Sequence, residues 1–303
     1  MEEIRLYNTD KWLDICNDDK YQRIRDKITN SFTGLTFIEE SHQYFLGNRE
    51  LMCVSNVIHQ FKEHFDSETE AQKTYERNFN NQDSKYYQMT PEEILEQWEK
   101  ISQTACRTGT DRHNFGESCF YFMIGQYDKI VPEFTDRLKY DENSKPYMLA
   151  LYPKEFAIVK FWQDLPRCIV PIAAENKVFN VNDDYAYSGT FDILFYYDAL
   201  LDNKDDSKSG LMIFDYKTNV DLYKNFKGKR LLKPFNGLLD MDLSIYKLQL
   251  SAYQLCLENI GLNIIARRLI WLKPDGKYEK VPLESYTRML DEALRNNNKT
   301  VLA

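Results

Sequence analysis

The sequence predicts an α/β fold in which a central mixed β-sheet is flanked by helices. Strand-like apolar segments occur at about 171–180, 187–196, 211–218 and 264–272. Helical patterns precede the first of these strands, and another separates the third strand from the fourth. Because strands and helices alternate along the chain, helices are expected on the faces of one sheet. Over residues 110–272 the expected order is α-β-β-β-α-β.

Helix start and stop signals define the elements around these strands. Thr90 followed by Pro91 predicts a helix start, since proline suits the first helical position. We expect this helix to break at Gly109-Thr110, with a second helix over about 111–124. Before the α/β core, we expect a charged, helix-rich opening over 1–30, a hairpin over 35–45, a short helix capped by Ser55, and surface helix and loop over 66–88. Irregular structure is expected over 131–150, followed by a helix over 153–164. Beyond the third strand we expect a helix over 244–260 that Gly261 stops, a turn at 274–276 and a C-terminal helix over 283–295.

The length of 303 residues allows two domains or one large one, and we expect a single domain without an internal repeat. It would comprise a mostly helical N-terminal extension (1–104) with a short hairpin, a core (105–275) and a C-terminal helix (276–303). The 43% hydrophobic composition can fill a core and excludes wholesale disorder. The sequence contains no run of about 18 apolar residues, so no membrane span is expected, and the acidic start does not resemble a signal peptide. A cytoplasmic location is therefore expected.

The six cysteines are scattered and form no Cys-x-x-Cys pair. Free thiols are therefore expected, as in most cytosolic proteins. A cysteine-based zinc site or iron–sulfur cluster is not expected, because no close pair can hold the metal.

Charge is unevenly distributed along the chain. The formal net charge is −8, but the segment from Lys217 to Lys233 contains six basic residues and one acid, a local charge of +5. The segment is open to two interpretations, a solvated loop or a phosphate-contacting strip beside an acidic site. Its basic residues beyond Lys217 are Lys224, Lys227, Lys229, Arg230 and Lys233.

Two carboxylates and a lysine on neighbouring strands are the first candidates for chemistry. In a strand, residues two apart face the same side, so Asp215 and Lys217 should project together. Asp192 lies on the preceding strand and can oppose Asp215 if the two strands pair. A divalent cation between the carboxylates would remove their repulsion. The alternative is that both are solvated acids at strand ends.

Two pairs at helical spacing add further candidates. His113 and Glu117 are four residues apart, on one helical face, and both residue types ligate metals. Gln249 and Tyr253 share a face of the helix that follows the basic segment. Considered alone, the first pair is also compatible with ordinary packing, and the second with a surface amide and a core tyrosine.

The order of these motifs resembles one family. The pattern Gly109-x-x-x-His113, Gly189-x-x-Asp192, Asp215-x-Lys217 and Gln249-x-x-x-Tyr253 is similar to that of the PD-(D/E)XK nucleases, in particular RecB-like and phage-type exonucleases. A looser similarity covers His42-Gln43-Tyr44 and the segment 54–58. The resemblance implies a restriction-endonuclease-like core. The second acid is Asp where the family more often has Glu, and the C-terminal cysteine cluster of the iron–sulfur branch is absent.

The resemblance also implies roles for the residues. Asp192 and Asp215 would bind Mg²⁺ or Mn²⁺ with His113 and the backbone carbonyl of Tyr216, and Lys217 would orient or help deprotonate the attacking water. Glu117 would support the metal site, and Glu175 matches an acidic position found in some members. Gln249 and Tyr253 would position the lysine or the scissile strand. The residues that would contact the DNA backbone are Lys224, Lys227, Lys229, Arg230 and Lys233.

These roles predict a divalent-metal-dependent DNA nuclease. An exonuclease acting from DNA ends in recombination, repair or phage DNA processing is the leading hypothesis, in the host cytoplasm if phage-encoded. The alternatives are a structure-specific or restriction-like endonuclease of the same fold, and a catalytically silent nucleic-acid-binding module. The expected partner is DNA, through its phosphate backbone, with a recombination or single-strand-binding protein as a further candidate.

Overall fold

A computed structural model of the protein describes residues 3–38, 41, 43–226 and 228–296. Within these ranges the chain forms eleven strands and seven α-helices. In chain order they are β1 (Ile4–Tyr7), α1 (Asp19–Ser31), β2 (Leu35–Ile38), β3 (Gln43–Leu46), β4 (Arg49–Cys53), α2 (Val54–His59), α3 (Ser67–Asn78), α4 (Pro91–Met123), β5 (Leu138–Tyr140), β6 (Pro146–Ala150), α5 (Pro153–Asp164), β7 (Ile169–Val181), β8 (Ala186–Tyr197), β9 (Gly210–Lys217), α6 (Asp242–Asn259), β10 (Ile264–Leu272), β11 (Tyr278–Pro282) and α7 (Thr287–Asn296).

The larger of the two sheets contains both parallel and antiparallel strand pairs, and helices pack against it. Its strands run β11-β10-β9-β8-β4-β3-β2, and β7 pairs with β8. The pairs β7–β8, β8–β9 and β10–β11 are antiparallel, whereas β9–β10 and β4–β8 are parallel. Helices α5 and α6 both contact the sheet. The chain is thus an α/β protein with a large mixed sheet, as the sequence predicts.

Helix α5 begins where its sequence signals place it. Pro153 occupies the first helical turn, and the buried Glu155 carboxylate accepts hydrogen bonds from the backbone N–H groups of Leu151 and Tyr152 at 2.7 and 3.3 Å. These bonds satisfy two donors before the first turn of the helix. On the inner face, Trp162 donates from Nε1 to the Tyr216 hydroxyl at 3.1 Å. Helix α5 is thereby fixed to the strand that carries Asp215 and Lys217.

Several expectations for single elements need correction. The predicted break at Gly109-Thr110 is wrong, because α4 continues through both residues. A single glycine costs a helix only about 1 kcal/mol relative to alanine. The segment 131–150 is not irregular, since β6 pairs there with both β5 and β1 in a separate three-stranded sheet. Ser55 lies inside α2 and does not cap it, and β1 falls within the opening that was expected to be helix-rich.

The described chain divides into two compact units. One comprises the described parts of 1–62 and 113–303 and contains both sheets. The other, 63–112, contains α3 and the first two thirds of α4. Inside this second unit, Asp66 caps α3 by accepting from Thr69 N at 3.1 Å, and Trp98 donates to the Tyr86 hydroxyl at 2.9 Å. None of the helices in the described part of the chain has the length and apolarity needed to cross a bilayer.

A buried carboxylate ties α1 to the end of β8. Asp198 is 4% exposed and accepts hydrogen bonds from the Tyr21 hydroxyl at 2.7 Å and the Lys20 ammonium at 3.0 Å. Burial alone would raise the pKa of Asp198, but these two donors lower it below its ordinary value. A carboxyl group with a depressed pKa in the folded state stabilises the fold above its unfolded pKa of about 3.9. That stabilisation disappears as the pH falls through the lower, folded-state pKa.

We therefore expect Asp198→Asn to lower the free energy of unfolding by about 1–3 kcal/mol at pH 7. The difference from wild type should shrink below about pH 4, because the wild-type carboxyl group then also becomes protonated. Urea unfolding at pH 7 and at pH 3.5 measures both values. Asp136→Asn, at a side chain that is 76% exposed, is the matched control and should change little. A difference that stays constant with pH would contradict this account.

Candidate metal centre and catalytic site

The candidate site forms where one edge of β8 is shared between two strands. Strand β7 pairs along the other edge of β8, from Ile169 opposite Tyr197 to Val181 opposite Ala186. On the shared edge, β9 pairs with residues 193–197 and β4 pairs with residues 187 and 188. Asp192 lies in the interval between the two partners. The sheet edge is therefore open at the position of this carboxylate.

Asp192 replaces the missing strand pairing with a side-chain hydrogen bond. Its Oδ2 atom accepts from the backbone N–H of Tyr216 at 2.6 Å, and the residue is 6% exposed. The register of the last β8–β9 pair, Ile193 with Phe214, continues to Asp192 and Asp215. The two carboxylates therefore belong to the same cross-strand position, as the sequence predicts for paired strands.

Asp215 and Lys217 form a buried ion pair at the end of β9. The Lys217 ammonium lies 2.5 Å from Asp215 Oδ2, with the side chains 13% and 2% exposed. The ammonium also lies 4.4 Å from the centre of the Tyr246 ring on α6. Apart from the ion pair, Asp215 Oδ2 has no hydrogen-bond partner among the described residues. A buried carboxylate oxygen with spare acceptor capacity fits a site for a cation.

His113 and Glu175 complete a cluster around Asp192. His113 Nδ1 lies 3.1 Å from Asp192 Oδ2 and 3.9 Å from Glu175 Oε1. One ligand atom from each of the three residues lies within 4.8 Å of the other two. An imidazole with two carboxylates is a donor set that suits Mn²⁺ and other first-row divalent metals. The residues present therefore fit a divalent metal.

The backbone is strained at Glu175. This residue has φ +46° although it lies inside β7, and the register around it places it opposite Asp192. A non-glycine residue in the left-handed region costs roughly 1 kcal/mol or more and persists only where its surroundings hold it. The strain therefore falls on the residue that brings the third side chain to the cluster.

Glycine at position 116 lets α4 approach β9. A Cβ atom at Gly116 would clash with the ring of Tyr216, which is buried beneath the helix. Because Gly116 follows His113 by three residues, the same close approach sets the position of His113. Gly189 has a similar role on β8, since a Cβ atom there would lie 2.8 Å from Cε1 of Tyr253.

The carboxyl groups around the site have shifted pKa values. Burial by itself would raise the pKa of Asp192, but His113 and Lys217 lower it below its ordinary value. Burial and the Asp192 charge raise the pKa of Asp215 to about 6, and they raise the pKa of Glu175 well above its ordinary value. Of the three carboxyl groups, Asp192 therefore stays ionised to the lowest pH, and Glu175 takes up a proton more readily than an exposed glutamate does.

The basic groups respond to the same charges in the opposite sense. Burial would lower the pKa of His113, but Asp192 and Glu175 raise it to about 9. Burial likewise lowers the pKa of Lys217, yet Asp215 and Asp192 raise it above its ordinary value. Both groups are therefore cations at neutral pH. A metal that binds His113 must first displace its proton.

Helix α6 places a row of polar side chains against the cluster. Gln249 donates to the Tyr253 hydroxyl at 3.1 Å, and Tyr253 is buried against Gly189. Tyr246 donates to Asn219 Oδ1 at 2.9 Å, while Asn219 donates to Asp242 at 2.6 Å. The sequence reasoning missed Tyr246 and Asp242. Their signal is the spacing 242, 246, 249 and 253, which puts all four residues on one helical face.

Glu117 and Tyr216 lie beside the three-residue cluster without contributing a side-chain ligand atom to it. Glu117 lies outside it and lines a cleft of about 410 Å³ together with Glu175 and Lys177. Burial raises the pKa of Glu117, against the neighbouring charge of Lys177. The backbone of Tyr216 contributes its N–H to Asp192, and the proposed role of its carbonyl as a ligand stays a prediction.

The basic residues lie on the long connection between β9 and α6. Lys224, Lys229, Arg230 and Lys233 are exposed, and Arg230 donates to the carbonyls of Asn236 and Gly237 at 3.3 and 3.1 Å. Lys227 lies outside the described residues, as does His42. The neighbouring Tyr44 contacts β8, with its hydroxyl 3.0 Å from Thr190 Oγ1.

Comparisons with known proteins give little further information. Neither the scan against protein-family models nor the search of curated proteins finds a match. Among solved structures, the chain is similar to a protein from Eubacterium rectale named "putative exonuclease". The TM-score is 0.39 and the identity 12%, over 64% of this chain and 66% of that protein, just under two thirds of its length. A similarity at this level carries no argument about function.

We expect the cluster to bind Mn²⁺ directly. Asp192→Asn and His113→Ala should each weaken Mn²⁺ binding by at least about tenfold, since even outer-shell changes at metal sites cost about 10- to 100-fold. Affinity in the wild type should rise as the pH approaches 9, because His113 must lose its proton to act as a ligand. Isothermal titration calorimetry measures both effects. His64→Ala, an exposed histidine of the second unit, should bind like wild type, and equal affinity for His113→Ala and wild type would refute the assignment.

We expect Gly116→Ala to destabilise the protein by about 1–3 kcal/mol, although alanine is the better helix former. The added Cβ atom would meet the Tyr216 ring and push α4 away from β9. Chemical unfolding measures the change. Gly237→Ala is the matched control, because nothing lies within 4 Å of a Cβ atom at that position. A Gly116→Ala protein as stable as wild type would show that the helix–strand contact is not limiting.

Proposed function

We propose that this protein is a divalent-metal-dependent nuclease that hydrolyses DNA phosphodiester bonds. The observation that carries the proposal is the convergence of His113, Glu175, Asp192, Asp215 and Lys217 at one position of the sheet. Three potential metal ligands next to a buried Asp–Lys pair are what metal-assisted phosphoryl hydrolysis requires. The proposal extends to the restriction-endonuclease-like core that the motif order implies, with helix α5, strands β7–β9, helix α6 and strand β10 as its elements.

The proposed metal, Mg²⁺ or Mn²⁺, would be held by Asp192, Asp215, His113 and Glu175. When bound, it would polarise the phosphate and lower the pKa of a water molecule. Because His113 carries a proton at neutral pH, its imidazole would have to lose that proton to act as a ligand. The donor set includes an imidazole, which favours Mn²⁺ over Mg²⁺.

Lys217 acts as a cation in this proposal. Its raised pKa keeps the ammonium protonated at neutral pH, so it donates hydrogen bonds rather than accepting a proton from water. An ammonium group fixed by Asp215 on one side and by the Tyr246 ring on the other would stabilise the negative charge that develops on the phosphate. Gln249 and Tyr253 act indirectly, because their mutual hydrogen bond and the packing of Tyr253 on Gly189 position the strand that bears Asp192.

DNA would approach along the connection between β9 and α6. This connection follows Lys217 directly, and its exposed basic residues can neutralise backbone phosphates beside the metal centre. Among the activities that such a site supports, we propose an exonuclease acting in recombination, repair or phage DNA processing. An endonuclease would use the same groups.

We expect Lys217→Ala to reduce the rate of DNA cleavage by at least about 100-fold, because it removes a buried charge that stabilises the transition state. The assay uses end-labelled linear duplex, single-stranded DNA and covalently closed circular DNA, each with Mg²⁺ or Mn²⁺. Lys273→Ala, in which the lysine lies outside the site and pairs with Glu279, is the matched control.

Loss of the linear substrates alone would identify an exonuclease, and nicking of the circle would identify an endonuclease. Full activity of Lys217→Ala would overturn the catalytic assignment. Metal and DNA binding without cleavage by the wild type would instead favour a silent binding module.

A further inference from the structure

The connection between β9 and α6, residues 218–241, is called the basic loop. Both of its ends are fixed beside Lys217. Asn219 accepts from Tyr246 at 2.9 Å and from Trp271 through its carbonyl at 2.7 Å, and Leu243 N donates to Leu222 O at 3.0 Å. The two ends of the basic loop are thereby fixed beside the strand and the helix that flank the candidate catalytic lysine.

The middle of the basic loop is anchored by buried apolar side chains. Leu222, Leu231 and Phe235 are at most 2% exposed, and the Phe235 ring packs on Phe61 with the ring centres 4.7 Å apart. The backbone N–H of Leu232 donates to Phe61 O at 2.7 Å. These contacts anchor the described part of the basic loop to the fold, so that the exposed side chains of that part are presented in a defined arrangement.

The same loop exposes apolar side chains between its cations. Phe226 is 65% exposed and Tyr223 is 48% exposed, with Lys224 between them in sequence. A turn holds Phe226, since its carbonyl accepts from Lys229 N at 3.2 Å, and the side chain of Asn225 donates to the carbonyls of Lys229 and Asp240 at 2.9 and 2.8 Å. An anchored loop that leaves a phenyl ring in solvent between basic residues indicates a ligand with both apolar faces and negative charge.

Unpaired nucleic acid has that combination of properties. Its phosphates match the lysines, and its unstacked bases offer flat faces to aromatic rings. In a duplex the faces of the bases are buried in the stack, so only the phosphates would be available to the loop. We infer that the basic loop holds an unpaired DNA strand beside the candidate catalytic site, with Phe226 as a base-stacking residue and Tyr223 as its neighbour.

This inference rests on the proposed nuclease function and names its substrate class, a single strand or a frayed end. It adds residues that the motif pattern does not contain. The lysines contribute binding affinity that falls as the salt concentration rises, whereas the aromatic rings contribute affinity only when the ligand has bases.

The test measures DNA binding by Lys217→Ala protein with Mg²⁺, so that binding is separated from cleavage. Fluorescence anisotropy compares three ligands of 20 units: single-stranded oligothymidine, a chain of abasic sites with the same phosphates, and a duplex. In this background Phe226→Ala should weaken oligothymidine binding about tenfold, in line with the typical value of base–aromatic stacking. Binding to the abasic chain and to the duplex should stay within about twofold.

Two further variants serve as controls. Phe226→Trp keeps a flat ring and should restore oligothymidine binding, whereas Phe65→Ala removes a phenyl group that is 63% exposed in the other unit and should have no effect. Equal losses on oligothymidine and on the abasic chain, or no loss at all, would overturn the inference. A preference for the duplex that depends on Phe226 would overturn it as well.

Failure of the inference and failure of the proposed function give different results. If wild-type protein cleaves DNA but Phe226→Ala binds oligothymidine normally, the nuclease proposal stands and the stacking role is wrong. If wild-type protein cleaves no DNA in either metal, the nuclease proposal fails, whereas a base-dependent loss of binding would still support Phe226 as a contact to unpaired strands.

Discussion

The divided edge of β8 is the constraint on which the candidate site depends. Strand β9 and strand β4 each take part of this edge, and neither covers Asp192. The carboxylate is consequently buried at a sheet position where backbone pairing is interrupted, and its Oδ2 atom accepts a hydrogen bond from the backbone N–H of Tyr216. If either strand extended further along β8, the opening at Asp192 would close.

The elements around this opening are arranged by close backbone approaches. Gly116 brings α4 onto Tyr216, and Gly189 admits the ring of Tyr253 from α6. Each glycine lies three residues from a functional candidate, Gly116 after His113 and Gly189 before Asp192. These two glycines therefore have a steric role, and the acids and bases have an electrostatic one.

Charge in the cluster is balanced before any metal binds. The imidazolium of His113 and the ammonium of Lys217 compensate the buried carboxylates of Asp192 and Asp215. Burying several carboxylates without such compensation would be costly. The negative net charge of the chain is compatible with the proposed binding of DNA, because basic residues are concentrated in the basic loop and cations lie at the site.

Sequence reasoning identified the parts of the fold that local pattern determines. The strands β7, β8 and β9 and the helices α5 and α6 have strong apolar patterns and clear ends, and a period of two placed Asp215 and Lys217 on one face. Long-range pairing was not accessible. Strand β4 joins β8 through only two residue pairs, and β6 pairs with a strand more than 130 positions earlier. The short strand β11, which follows the turn at 274–276, has no distinctive apolar pattern. The left-handed backbone at Glu175 likewise follows from its surroundings and has no signature in the sequence.

The central claim is that the cluster around Asp192 is a metal centre. The most direct measurement is anomalous diffraction from crystals soaked in Mn²⁺, recorded at the manganese edge, for wild type and for Asp192→Asn. The account predicts an anomalous peak bounded by His113, Glu175 and Asp192 in the wild type, and its loss in the variant. A peak elsewhere with none at the cluster, or a peak that persists in Asp192→Asn, would contradict it.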